Sequence, residues 1–252
     1  MDPVLHTFEK IKWAPLVQVI ILLTGALITF IVAYGSGDVS IYLPFISETG
    51  AKVPAMCIFT YTLFFGSVAG AVAVCYRNLI MRYLLVNEDQ RLMKLNDIGA
   101  IIGLISMAGL AGVGAFPVST VFWAHMLAAG VHFVFAMVYI ILQTFINHYV
   151  PGANVLVKRL RILFCVAVLL LLFLLVIFFP LSFVKWNKVN SGPPALKTPD
   201  DEIFGLMFSS AFFEWVMYGA FLSFISTLSI EFRKFHLTIG VVPVTPKSDE
   251  DT

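Results

Sequence analysis

The stretch RILFCVAVLLLLFLLVIFFPLSFV, residues 161–184, decides what kind of protein this is. Past its opening arginine it holds no charged side chain, and its 24 residues as a helix cover about 36 Å, more than the ~30 Å of hydrocarbon in a bilayer. Five further stretches have the same character: 14–35, 55–75, 97–116, 119–146 and 204–230. A helix satisfies its own backbone hydrogen bonds, which hydrocarbon demands, so each stretch predicts one span. Composition agrees. Of 252 residues 60% are apolar and 12% charged, about half the charged share of a soluble domain. Sixteen basic and 15 acidic residues leave a net charge of +1, so no basic field for nucleic acid exists and lipid is the partner that composition suggests. Cys57, Cys75 and Cys165 form no CxxC pair and no ligand cluster, which excludes a disulfide framework and cysteine-based metal chemistry.

The fold class is therefore all-α: a polytopic membrane protein of six transmembrane helices. Lys10, Lys12, Arg77, Arg82, Arg91, Lys94, Lys158, Arg159, Arg161, Arg233, Lys234 and Lys247 fall on one side of the spans. Only Lys52, Lys185, Lys188 and Lys197 fall on the other. Basic loops resist translocation, so both termini are expected in the cytosol. Lys10 and Lys12 precede the first span as they would a signal peptide, but its apolar run is too long for one and reads as a retained anchor. The chain divides into a six-helix transmembrane domain, 1–230, and a flexible cytosolic tail, 231–252, whose Thr245-Pro246 and Ser248 are phosphorylation candidates. Outside the cytosol lie a loop near 36–54, a tight connection at Phe116-Pro117, and a turn-rich loop near 185–203.

Ionisable groups inside spans are costly and mark functional candidates. His125 and His132 stand two turns apart in the fourth span, Glu214 lies in the sixth, and Asp97 opens the third near the cytosolic surface. His125 and Glu214 reach similar depths, about 12 and 16 Å, and are expected to share a layer. Two uses follow. Glu214 could orient His125 as a base toward water or a lipid hydroxyl, or the two could simply bond their helices together. The second is preferred, since that layer holds no nucleophile; no metal and no cofactor are expected. Gly66-x-x-x-Gly70 and Gly99-x-x-x-Gly103 mark close helix packing. In the cytosolic loop 76–94, Tyr76-Arg77-Asn78-Leu79 and Tyr83-Leu84-Leu85-Val86 fit a sorting-adaptor pattern, although interfacial anchoring by the tyrosines, with Arg77 and Arg82 reaching to headgroups, is preferred.

The first outer loop reads Leu43-Pro44-Phe45-Ile46-Ser47-Glu48-Thr49-Gly50, followed by Pro54 and Cys57-Ile58-Phe59. With His125 and Ala128-Ala129-Gly130, Lys185-Trp186-Asn187, and Phe213-Glu214-Trp215, it resembles the damage-regulated autophagy modulator (DRAM) family, within the wider Frag/DRAM/Sfk group of six-span membrane proteins. His132 and the Gly-Pro-Pro loop depart from that pattern. The resemblance implies a lysosomal or endosomal membrane protein that promotes autophagy, with plasma membrane or Golgi as alternatives, and carries over no catalytic residue. Wider relatives are associated with GPI-anchor lipid remodelling or phosphoinositide-kinase recruitment. Pro44, Pro54, Ser47, Thr49 and Gly50, the last supplying a left-handed turn, should stiffen the loop into a lid. Glu48, His125, His132, Glu214 and Trp215 are the pocket candidates beneath it. The expected activity is non-enzymatic regulation through membrane lipids and through autophagy or trafficking proteins met by loop 76–94 and the tail. A lipid-modifying enzyme or transfer protein using His125 and Glu214 is the rival, and a channel or accessory subunit a third class.

Overall fold

The computed structural model describes residues 4–86, 89–190 and 192–241. Among these residues six helices are long and apolar enough to cross a membrane: α1 (Trp13–Gly35), α3 (Ala55–Leu85), α4 (Gln90–Ala115), α5 (Phe122–Tyr149), α6 (Val155–Val189) and α7 (Phe204–Phe232). The short α2 (Ile46–Thr49) lies between α1 and α3. Strands β1 (Val4–Phe8) and β2 (Leu237–Val241) pair antiparallel, with Thr7 opposite Thr238. An even number of crossings returns the chain to its starting side, so both ends meet at one face, called here the terminal face. The opposite, lid face carries α2 and the 3-10 turn Pro194–Leu196.

The helices close into a ring in which α1 packs on α3, α3 on α4, α4 on α5, α6 on α7 and α7 back on α1, with a looser seam between α5 and α6. Small residues set the closest approach. A Cβ on Gly109 of α4 would stand 2.6 Å from the His132 amide nitrogen and 3.0 Å from the Ala128 carbonyl oxygen of α5, so only glycine lets these backbones touch. Outward, α6 presents Leu163, Val166, Leu170, Phe173 and Val176, all exposed, as a lipid-facing helix must. Its start is fixed by Asn154, whose side chain accepts from the Leu156 amide at 2.8 Å.

Two sequence expectations need correction at the terminal face. The segment 76–94 is mostly helix: α3 runs on to Leu85 and α4 begins at Gln90, because amphipathic turns continue past the apolar stretches. Tyr76-Arg77-Asn78-Leu79 is thus wound into α3 and is not an extended peptide. The tail also starts later than residue 231, since Glu231 belongs to α7 and Leu237–Val241 forms β2. Thr245, Pro246 and Ser248 lie outside the described residues.

Candidate functional site: a docked lid and a buried charge cluster

The lid is held by consecutive residues of α7. Glu214 Oε2 accepts the Ile46 amide at 2.8 Å, and Trp215 Nε1–H donates to the Pro44 carbonyl at 2.8 Å. Both bonds satisfy backbone groups that a short helix and a proline-bearing turn leave open. Within the lid, Glu48 Oε2 accepts the Phe45 amide at 2.9 Å and the Thr49 hydroxyl donates to the Ile46 carbonyl at 2.7 Å. Pro44 is buried, Ser47 is half-buried, and Pro54 leads into α3. Gly50 has a different reason from the expected one. Its φ is −96°, not left-handed; instead, any Cβ there would overlap the Phe59 ring of α3. The positive φ falls on Leu43, at 48°, just before Pro44.

Lys197, counted from sequence as an outer-loop charge, is completely buried beneath this lid. Its Nζ stands 5.9 Å from the Phe45 ring centroid and has no hydrogen-bond partner among the described residues. Burial pushes its ammonium below the ordinary lysine value, while the charges of Glu48 and Glu214 oppose the shift. Burial likewise pushes the Glu48 carboxyl up, against the attraction of Lys197 and the Phe45 amide bond.

The expected pairing of His125 with Glu214 does not form. His125 Nδ1–H donates to the Phe116 carbonyl at 2.7 Å, tying the end of α4 to the start of α5, whereas Glu214 is taken up by the lid. Adjacent helices did not imply a bonded pair: α5 and α7 meet in the bundle interior, where the His132 and Phe221 rings stand 6.2 Å apart, yet His125 and Glu214 turn to other partners. The second histidine makes an interhelical bond, though to α4. His132 Nδ1–H donates to the Ser106 carbonyl at 3.0 Å, and the Ser106 hydroxyl returns a bond to the His132 carbonyl at 3.1 Å. His132 then faces a central cavity of about 70 Å³, shared with Gln18, Ser106, Tyr139 and Tyr218 and otherwise apolar, which is room for several waters. Among the described residues no group of three His, Cys, Asp or Glu side chains could hold a metal.

The largest polar constellation was not expected from sequence. Arg77 of α3 and Arg161 of α6 are both 0% exposed and both bind Glu231 of α7. Arg161 Nη1 and Nη2 reach the Glu231 carboxylate at 3.2 and 2.9 Å, and Arg77 Nη1 also donates to its Oε2. Arg77 Nε donates to Gln143 Oε1 at 2.9 Å, and Arg161 Nε donates to the Thr227 hydroxyl at 2.9 Å. Arg82, read with Arg77 as a headgroup contact, behaves differently: it is exposed and pairs with Asp97 at 2.6 and 2.8 Å. The clue available in the sequence was an acid, Glu231, at a span edge where two arginines also fall.

Six apolar helices in a ring, capped on one face and cross-linked by buried charge near the other, define a multi-pass membrane protein. Residues 10–235 match the family model described as Frag1/DRAM/Sfk1/Cwh43P N-terminal domain, and the chain belongs to that family. It is 25% identical to human DNA damage-regulated autophagy modulator protein 2 over 249 residues, covering 92% of this chain and 87% of the relative. It is 26% identical over 228 residues to DNA damage-regulated autophagy modulator protein 1 of Xenopus laevis, covering 90% and 92%. Half of the chain, 49%, is 26% identical to half of the Danio rerio modulator of macroautophagy TMEM150B, 51% of its length. No solved structure matches.

Proposed function

We propose that this protein is a non-enzymatic regulator of autophagy in the lysosomal or endosomal membrane, acting through protein or lipid contacts. The observation that carries the reading is the extent of the kinship. Alignment with the autophagy modulators spans 92% of the chain, so it includes both the lid and the helix that docks it. The fate of the two leading polar residues supports it further. His125 and Glu214 bond to the backbone groups of Phe116 and Ile46 and not to each other, which weighs against an acid/base pair acting on lipids.

In this reading the terminal face is cytosolic, because the spans place most lysines and arginines there. It presents the end of α3, where Tyr83 is exposed, together with the chain's tail, to autophagy or trafficking proteins. The test is deletion and re-expression in cells, with turnover of the lipidated autophagosome marker measured with and without a block of lysosomal degradation. Deletion should lower flux and re-expression restore it, with the protein on lysosomal or endosomal membranes. Unchanged flux, or turnover of a membrane lipid by the purified protein, would overturn the proposal.

A further inference from the structure

The Arg77–Glu231–Arg161 cluster carries an imbalance of charge. Two guanidiniums share one carboxylate, both are fully buried, and arginine does not shed its proton to escape the cost. Gln143 and Thr227 supply bonds but no charge. One positive charge is left over. Its hydrogen-bonding capacity is also unspent, since Arg77 Nη2 is buried without a partner among the described residues. So is the Tyr139 hydroxyl, on the same face of α5 as Gln143, one turn away. Two donors and one excess cation, enclosed together, call for an anion with several acceptor oxygens.

Depth identifies the anion. The apolar stretches that predict the spans end at 75, begin at 161 and end at 230, so all three charged residues stand where hydrocarbon gives way to headgroups. The lipid phosphates of the terminal-face leaflet lie near that level. The cluster reaches the surface on one side, where the Glu231 side chain is 14% exposed, and α6, which carries Arg161, packs more loosely on α5, which carries Gln143, than on α7. A zwitterionic headgroup would leave the excess uncompensated. An anionic one cancels it, and a planar guanidinium matches phosphate oxygens.

We propose that Arg77 and Tyr139 bind the phosphate of an anionic phospholipid from the terminal-face leaflet, with Arg161, whose own donors are taken by Glu231 and Thr227, adding its charge. The test uses the full chain in phospholipid-free detergent, with Tm followed as mixed micelles of phosphatidic acid, mixed micelles of phosphatidylcholine, or inorganic phosphate are added. At a hundredfold excess over Kd, phosphatidic acid should raise Tm by about 5–10 °C. Phosphatidylcholine should do much less, and Arg77→Gln should abolish the rise. If Arg77→Gln does not fold, Tyr139→Phe replaces it, because that hydroxyl has no protein partner to lose; its rise should be reduced at least severalfold in affinity. An equal rise with inorganic phosphate assigns the site to free phosphate and overturns the lipid assignment. No rise with phosphatidic acid, or an undiminished one in folded Arg77→Gln or Tyr139→Phe, overturns the site altogether.

Discussion

Neutralising Glu231 should cost more than removing one of the arginines it holds. Glu231→Gln keeps the shape of the side chain but leaves Arg77 and Arg161, both 0% exposed, as neighbouring uncompensated cations. Breaking a buried pair in this way costs about 3–5 kcal/mol. Arg161→Gln forfeits the two bonds at 3.2 and 2.9 Å and the one to Thr227, but it leaves Arg77 and Glu231 as a balanced pair and ends the repulsion between the guanidiniums. Its expected cost is roughly half as large. At about 2–4 °C per kcal/mol for a chain of this size, Glu231→Gln should lower Tm by roughly 6–20 °C. The double variant should be more stable than Glu231→Gln alone, since the second substitution removes one stranded charge. Thermal unfolding in phospholipid-free detergent, with recovery of monodisperse protein as a second readout, measures all three. A double variant less stable than Glu231→Gln would refute the charge-balance reasoning.

Other consequences are more local. Gly50→Ala should cost about 1–3 kcal/mol in thermal unfolding through overlap with the Phe59 side chain, and Phe59→Leu should not rescue it, because leucine keeps the Cβ and Cγ that the new methyl meets. Trp215→Phe deletes the donor to the Pro44 carbonyl and should cost about 1 kcal/mol, seen also as faster proteolysis within 36–54. Arg82→Ala should change stability by less than about 1 kcal/mol, because its bridge to Asp97 is exposed, in contrast to Arg77 five residues earlier in the same helix. Glu48 is held above its ordinary value, so its ionised form opposes folding: its contribution is most favourable below that ordinary value and is lost as pH rises through the raised one. Glu48→Gln should therefore stabilise the protein more at pH 7 than at pH 4.5, and a stability difference that does not vary with pH would contradict this.

The six spans were legible because an apolar run is a one-dimensional signal, and hydrocarbon leaves a helix as its natural reading. Lateral order is not one-dimensional. His125 and Glu214 were assigned a common layer from sequence, yet each side chain found a backbone partner, Phe116 or Ile46, even though their helices pack together in the interior. The lid loop was recognisable by its prolines, but its dock on Glu214 and Trp215 bridges residues separated by 168 and 171 positions. Arg77, Arg161 and Lys197 were read as topology markers, because sequence gives their side of the membrane and not their burial. Gly50 was identified for the wrong reason, since a close approach to Phe59 cannot be distinguished from a turn without the third dimension.

The most direct measurement is autophagic flux in cells lacking the protein and complemented with Glu214→Gln, checked for equal abundance and folding. The amide oxygen still accepts the Ile46 hydrogen bond, so a protein that works by contact should restore flux to the wild-type level. Flux left at the level of the deleted cells, in a variant whose lid at 36–54 resists proteolysis as the wild type does, would show that the carboxylate is needed for more than holding the lid and facing Lys197, and the non-enzymatic reading would fall.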